Sequence, residues 1–167
     1  MSNTLIHNLS RATSESWAIT VVFFSGALMA GALVMEHAFA MDPCPLCLMQ
    51  RIWFFIAGVW AYASLLHNPR WGIYPLLGVI SATIGGGFSI RQLWLMSLPA
   101  DQVPACGPDM AYMLDAFPLS EILIAMTRGT GDCAEVIPVL GLPIPGWALL
   151  GFIAIVILTV MQWRAGN

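Results

Sequence analysis

The chain has 167 residues, of which 59% are hydrophobic and only 9% charged, and its formal net charge at pH 7 is −3. This balance is far too apolar for a soluble domain of this length, and it indicates an integral membrane protein. A negative net charge with only six basic residues argues against nucleic acid as a partner.

Four apolar stretches have the composition of membrane-spanning helices, although one of them is short. A span needs roughly 20 mainly apolar residues, at about 1.5 Å of rise each. The stretch that follows Arg51 is too short to span by itself, so its helix is expected to begin earlier, near a pair of cysteines. The predicted spans are 17–35, 48–66, 71–90 and 145–163.

The first of these spans could instead be a signal peptide. Arg11 precedes the apolar run, and residues 38–40, Ala-Phe-Ala, resemble a small-residue cleavage site. The run is longer than a usual signal core, however, and Glu36 and His37 intervene before that site. We therefore expect the first span to be retained as a helix.

The predicted fold is an all-α membrane protein, a four-helix bundle that forms a single domain over residues 1–167. With four spans, both chain ends lie on one side of the membrane, and the two loops, 36–47 and 91–144, lie on the other. Cysteines that share a loop compartment fit an oxidising space such as the bacterial periplasm. All four cysteines lie in these loops: Cys44, Cys47, Cys106 and Cys133.

The orientation in the membrane is not decided by the basic residues. Three arginines fall on each side, so the positive-inside rule gives a tie. Acidic residues crowd the cysteine side. We expect cytoplasmic termini and periplasmic cysteine loops in a bacterial cell inner membrane.

The long second loop carries two short apolar patterns at helical spacing, separated by Pro118. They predict two short amphipathic helices. These could lie on the membrane surface, cover the first cysteine pair, or offer a groove to a protein partner, and packing at the membrane interface is favoured. The patterned residues are Met110, Met113, Leu114 and Phe117, then Leu119, Ile122, Leu123 and Met126.

The segment DPCPLCLMQR, residues 42–51, carries the strongest chemical signal. If the second helix begins near Leu46, Cys47 lies in its first turn, where unpaired backbone N–H groups and the helix dipole favour a thiolate. Arg51 follows four residues later on the same helical face and adds a fixed positive charge. Pro45 stiffens the turn between the two sulfurs. The pattern favours a redox-active pair at the membrane surface.

The cysteine pattern has two other interpretations. A zinc site would require Cys106 and Cys133 as a second ligand pair, but they are far apart in sequence rather than in a second close CxxC. Structural disulfides, Cys44 to Cys47 and Cys106 to Cys133, remain an alternative. The first of these would close a very small ring and add little stability.

Five motifs occur in an order that resembles the DsbB family of disulfide-bond-forming membrane proteins. The resemblance covers residues from about 35 to 155, and it implies a thiol:quinone oxidoreductase. Such an enzyme reoxidises a periplasmic thioredoxin-like dithiol oxidase of the DsbA type and passes the electrons to ubiquinone or menaquinone. The motifs are PCPLCLMQR, RQLWLMSLP, CGPDMAYMLDAFPLSEIL, GTGDCAEV and LGLPIPGWALLGF.

The resemblance also implies a role for each of the four cysteines. Cys106 resembles the cysteine that forms the mixed disulfide with the partner protein. Cys133 resembles the cysteine that pairs with it and communicates with the CxxC. Cys44 would exchange with Cys133, and Cys47 would be the thiolate that faces the quinone.

Two further residues are expected at the quinone. Arg51 matches the family arginine that lies beside the quinone ring. Gln92 belongs to the motif after the third span, in which many members carry histidine. An amide can donate a hydrogen bond to a carbonyl, but it cannot supply a proton at neutral pH.

Two alternatives to this function stay open. A vitamin K epoxide reductase-like protein also combines membrane helices, four cysteines and a quinone, but its quinone-side CxxC lies toward the last helix of the core, whereas here it opens the second span. A non-enzymatic membrane scaffold with structural disulfides is the other alternative.

Overall fold

The computed structural model describes residues 13–39, 41, 43–68, 70–99, 101–107, 110–136 and 138–166. Arg11 and Ala40, on which the signal-peptide interpretation depends, lie outside these described residues. So do the side chains of Met110 and Leu114.

Four long helices form the body of the protein, and each is long and apolar enough to cross a membrane. The structure thus confirms the predicted all-α, four-span membrane protein. These helices are α1 (Ser14–Phe39), α2 (Pro45–Leu66), α3 (Ile73–Met96) and α6 (Ile144–Gly166).

Short elements fill the segment between α3 and α6. Two short helices occur where the amphipathic patterns lie, and a 3₁₀ turn and a hairpin follow them. The hairpin closes through Leu140 and Gly141, both of which have positive φ, as a two-residue turn of type I′ requires. The elements are α4 (Met110–Ala116), α5 (Leu119–Arg128), the 3₁₀ turn (Gly131–Ala134), β1 (Pro138–Val139) and β2 (Leu142–Pro143).

Helices α1 and α3 continue several residues past the apolar runs that predict them. Helix α1 ends at Phe39, so Glu36 lies on its last turns. Helix α3 ends at Met96, so Gln92 also lies on a helix rather than in a loop. Hydropathy falls in both stretches, but neither contains a proline or a capping glycine that would end the helix.

The start of α2 is set by the CxxC segment itself. Cys44 is the N-cap residue with an extended backbone, and its sulfur accepts a hydrogen bond from the backbone N–H of Cys47. Pro45 occupies the first helical position, where its missing N–H costs nothing. The pair of cysteines therefore begins the helix.

The long helices pack in a closed ring in which α2 contacts α1 and α3, and α6 contacts α3 and α1. In the core, Phe54 and Phe152 stack with ring centroids 3.8 Å apart. A Cβ added at Gly85 would lie 2.3 Å from the Phe152 ring, so glycine is required for this contact. Small residues let membrane helices approach closely.

The long loop folds back over the start of α2. Leu46, Leu95 and Cys133 form a small buried cluster, and a Cβ added at Gly129 would collide with both leucine side chains. Residues of the loop that follow the two short helices therefore cover the CxxC segment. A location of α5 on the membrane surface stays a prediction.

Candidate functional site

The two cysteines of the CxxC face each other at the first turn of α2. Their sulfur atoms lie 2.6 Å apart, so the pair can exchange between dithiol and disulfide without a backbone rearrangement. The Cys44 sulfur also accepts the Cys47 backbone N–H at 3.3 Å. Both side chains are partly buried.

An amide from α3 reaches both of these sulfurs. The Nε2 atom of Gln92 lies 3.3 Å from the sulfur of Cys44 and 3.3 Å from that of Cys47. The Oε1 atom of the same amide accepts a 2.8 Å hydrogen bond from Nε2 of Gln50. Since both glutamines are almost completely buried, this network forms away from water, where hydrogen bonds are strong.

The third cysteine of the site comes from the long loop. Cys133 lies in the 3₁₀ turn, is fully buried, and shares a hydrogen bond with Cys44. That bond, together with backbone N–H groups of Leu46 and Thr130, lowers the pKa of Cys133 to about 6 against the opposing effect of burial. The pKa of Cys44 is raised, first by its hydrogen bond to Cys133, then by the one to Cys47, and by burial. In the reduced protein, the hydrogen bond between Cys44 and Cys133 therefore favours the thiolate form of Cys133 and the thiol form of Cys44.

Cys106 lies apart from the three buried sulfurs and is exposed. Its thiol hydrogen-bonds to the carboxylate of Asp132, which raises the pKa of Cys106 because the carboxylate stabilises the protonated form. The same carboxylate accepts the backbone N–H of Gly107 at 3.2 Å, and Gly131 N–H donates to the carbonyl of Ala105 at 3.1 Å. These contacts hold the Cys106 segment against the turn that carries Cys133.

Arg51 is held by the first helix rather than by the cysteines. Its guanidinium forms an ion pair with Glu36 and donates to the carbonyl of Ala32 at 3.1 Å. Gln92, not Arg51, makes the direct polar contact with Cys47. Arg51 still lines the same cavity as Cys47.

A cavity of about 600 Å³ opens beside the CxxC and is lined by residues of α1, α2, α3 and α6. This volume lies within the range of small-molecule and cofactor sites. The wall is mostly apolar, with Leu28, Met29 and Phe54 among its side chains, and Gly107 and Asp132 of the long loop also border it. Its polar or reactive lining residues include Cys44, Cys47, Gln50, Arg51, Gln92, Asp132 and Glu135.

The structure brings five of the six sequence-predicted site residues to one place, and sets Cys106 beside Asp132. Sequence reasoning named neither Gln50 nor Asp132 as a site residue, and it did not predict that Glu36 pairs with Arg51. Gln50 carried a usable signal, because a polar residue within a predicted span usually has a buried partner and a function.

The protein places a dithiol at the edge of an apolar cavity between four membrane helices, with a third cysteine against the dithiol. These features define the class of membrane thiol–disulfide exchange proteins. A family model described as disulfide bond formation protein DsbB matches residues 14–162. The chain belongs to the DsbB family, which confirms the resemblance seen in its motifs and replaces the vitamin K epoxide reductase-like alternative.

Curated relatives support this membership over most of the chain. The disulfide bond formation protein B of Hahella chejuensis is 49% identical over 81% of this chain and 85% of the relative. That of Marinobacter nauticus is 48% identical over 87% and 89%. That of Nitrosococcus oceani is 46% identical over 92% and 93%. No solved structure matches the chain significantly.

Proposed function

We propose that this protein is a thiol:quinone oxidoreductase of the bacterial inner membrane. It reoxidises a periplasmic thioredoxin-like dithiol oxidase of the DsbA type and delivers the electrons to ubiquinone or menaquinone. The observation that carries the proposal is the shared position of Cys47, Gln92 and Arg51 on one apolar cavity between the membrane helices. A water-soluble thiol enzyme would need no such cavity.

The thiol–disulfide half of the reaction follows from the sulfur positions. The partner's dithiol reduces a Cys106–Cys133 disulfide and leaves with a disulfide of its own, so two electrons and two protons pass to this chain. Exposed Cys106 is the sulfur that a protein partner can reach. Exchange proceeds by thiolate attack on a disulfide sulfur through a mixed disulfide.

The second exchange connects the loop to the CxxC. Cys133, whose thiolate form is also favoured by backbone hydrogen bonds from Leu46 and Thr130, attacks Cys44 of the oxidised CxxC and releases Cys47 as a thiolate. Cys106 then attacks Cys133, which restores the Cys106–Cys133 disulfide and leaves Cys44 and Cys47 as a dithiol. The hydrogen bond between Cys44 and Cys133 supports this order, because the reacting sulfurs are already neighbours.

The cavity fits the chemistry of a quinone. Its apolar walls suit a lipid-soluble ring and its tail, while Gln92 and Arg51 can donate hydrogen bonds to ring oxygens. A bound quinone would supply an acceptor for the two electrons and two protons of the Cys44–Cys47 dithiol. The amide of Gln92 orients the sulfurs, and the guanidinium of Arg51 places a fixed positive charge in the cavity wall where negative charge develops.

Placement of the cysteine loops in the periplasm and of the termini in the cytoplasm is part of the proposal. Four spans put both loops on one side, and the reaction needs that side to be oxidising and to contain the partner protein. Cysteine-accessibility labelling of intact cells with a membrane-impermeant maleimide would label Cys106 if this orientation is right.

The direct test is anaerobic addition of ubiquinone or menaquinone to the purified, fully reduced protein. We expect a transient visible charge-transfer band between the Cys47 thiolate and the added quinone, followed by loss of quinone absorbance and formation of the Cys44–Cys47 disulfide. Cys47→Ser should abolish the band. A scaffold with structural disulfides would leave the quinone unreduced, and that result would refute the proposal.

A further inference from the structure

Two buried glutamines connect the second and third helices directly behind the CxxC. Gln50 is 3% exposed and Gln92 is 2% exposed. Polar side chains at this depth in a membrane protein are costly and need partners. Each of the two amides has a hydrogen-bond partner: Gln50 donates to Gln92, and Gln92 donates to the two cysteine sulfurs.

The direction follows from which atom donates. Nε2 of Gln50 donates to Oε1 of Gln92 at 2.8 Å. With its oxygen engaged, the Gln92 amide presents its N–H groups to Cys44 and Cys47, each at 3.3 Å. The Gln92 oxygen is also 3.7 Å from the Cys47 sulfur, which is a much longer contact than the one with Gln50.

An amide without such a partner can turn by half a rotation and exchange its oxygen for its nitrogen. In that orientation the Gln92 oxygen would face the sulfurs and would repel a thiolate instead of donating to it. The choice between these orientations is made by Gln50, which touches neither cysteine sulfur through a hydrogen bond. Gln50 therefore determines, through Gln92, whether an N–H donor or a carbonyl oxygen faces the two sulfurs.

We propose that Gln50 is a positioning residue that locks the Gln92 amide with its N–H groups on the two CxxC sulfurs, so that negative charge released by disulfide exchange is stabilised there. This role deepens the proposed function. It rests on that function only in that the stabilised Cys47 thiolate serves quinone reduction. Neither glutamine exchanges protons or electrons in this role.

The competing explanation is that the two glutamines only join α2 to α3. The chain contains a matched example of such a contact at the opposite end of the bundle, where Nε2 of buried Gln162 donates to the hydroxyl of Ser64 at 3.0 Å. That contact joins α6 to α2 and lies on no cysteine. Gln162→Met is therefore a control for the loss of one buried amide contact.

The test compares Gln50→Met, Gln92→Met, the double variant and Gln162→Met as full-length, reduced protein in detergent without quinone. Iodoacetamide modification of Cys47 at neutral pH is followed by mass spectrometry of its peptide. Loss of a hydrogen bond to a charged group predicts a roughly tenfold slower reaction in Gln50→Met. The double variant should equal Gln92→Met, because Gln50 acts through Gln92, and Gln162→Met should react at the unaltered rate.

Equal Cys47 rates in Gln50→Met and Gln162→Met would overturn the proposal, and so would additive effects in the double variant. If Gln50→Met does not fold, Gln50→Glu takes its place. A protonated carboxyl donates to Gln92 as the amide does, whereas an ionised one only accepts and turns the Gln92 oxygen toward the sulfurs. The rate relative to the unaltered protein should then fall as pH rises, and a constant ratio would overturn the proposal.

The two proposals fail separately in this design. Alkylation is measured without quinone or partner protein, so a chain that shows the predicted Gln50 effect but reduces no quinone would contradict the proposed function alone. Quinone reduction with no Gln50 effect would contradict the positioning role alone.

Discussion

Buried glutamines lie at both ends of the helix bundle, but their surroundings differ. At one end, Gln162 donates to Ser64, and the contact is complete. At the other end, Gln50 donates to Gln92, which donates in turn to two sulfurs on the wall of a cavity. The first contact ends on a hydroxyl, whereas the second ends on atoms that can change charge and bonding.

The comparison shows that burial of a polar side chain in a membrane bundle has two separable uses. A closed pair contributes modest stability, about 0.6 kcal/mol on average for contacts between membrane helices. An open chain of donors determines the charge that an adjoining atom can carry. Substitutions at the two ends should therefore differ in kind, with changes of reactivity at the cysteine end and changes of stability at the other.

The largest effect is expected from Cys47→Ser. Loss of this sulfur removes both the CxxC disulfide and the thiolate on the cavity wall, so oxidation of a DsbA-type dithiol should fall to the background rate. The measurement is the rate of partner oxidation by purified protein supplied with quinone. Retention of activity would show that electrons leave the chain by another route.

Cys44→Ala should change how the reactivity of the Cys133 thiol depends on pH. The Cys44 hydrogen bond is the main cause of the lowered pKa of about 6 in Cys133, so reaction of the unaltered thiol with methyl methanethiosulfonate should weaken only as pH falls through that value. Without Cys44, the pKa of Cys133 should return toward the ordinary value of about 8.5. The reaction of the variant should therefore slow at a higher pH than that of the unaltered protein.

Cys106→Ala is the control for the Cys133 profile, because Cys106 is not among the groups that lower the pKa of Cys133. Its profile should keep a midpoint near pH 6, because the contacts that lower the pKa of Cys133 are unaltered. Identical profiles for Cys44→Ala and Cys106→Ala would mean that Cys44 does not stabilise the Cys133 thiolate.

Arg51→Ala separates the two halves of the proposed reaction. Removal of one electrostatic donor costs about 10²-fold to 10³-fold in other enzymes, and the loss should appear in quinone reduction more than in thiol exchange. Glu36→Gln is the control, because it removes the ion-pair partner and keeps the guanidinium charge. Equal losses in both half-reactions of Arg51→Ala would argue against a role at the quinone.

Gly131→Ala tests the packing of the two loop cysteines. A Cβ at this position would lie 2.5 Å from the carbonyl oxygen of Pro104 and 2.9 Å from the backbone nitrogen of Cys106, so the two segments must separate. Overpacking costs about 1–3 kcal/mol, which predicts a roughly tenfold slower formation of the Cys106–Cys133 disulfide with oxidised glutathione.

Gly87→Ala is the matched control, because nothing lies within 4 Å of a Cβ added there. It should leave disulfide formation unchanged. A similar slowing in both variants would indicate a general response to a glycine substitution rather than separation of the Cys106 and Cys133 segments.

The smallest effect is expected from Gln162→Met. Loss of its hydrogen bond to Ser64 should lower the free energy of unfolding by about 0.6 to 1.7 kcal/mol, measured by denaturation in a mixed detergent. Partner oxidation should continue at the unaltered rate. Reduced activity with unchanged stability would remove the distinction between the two ends of the bundle.

Sequence reasoning identified features that depend on nearby residues. The spans follow from apolar length, and the position of Cys44 and Cys47 at a helix start follows from Pro45 and the apolar run after it. The same reasoning placed two helix ends too early, because the helices that carry Glu36 and Gln92 continue beyond the apolar stretches.

By itself, then, the amino-acid sequence determined the four apolar helices and the cysteine pair at the start of one of them. Only the tertiary structure decided that Cys133 lies on Cys44, that Gln50 orients Gln92, and that Arg51 pairs with Glu36. Hydropathy and capping are properties of a few consecutive residues. The partner of a buried polar atom is determined instead by which helix faces meet, and that depends on packing across the whole bundle.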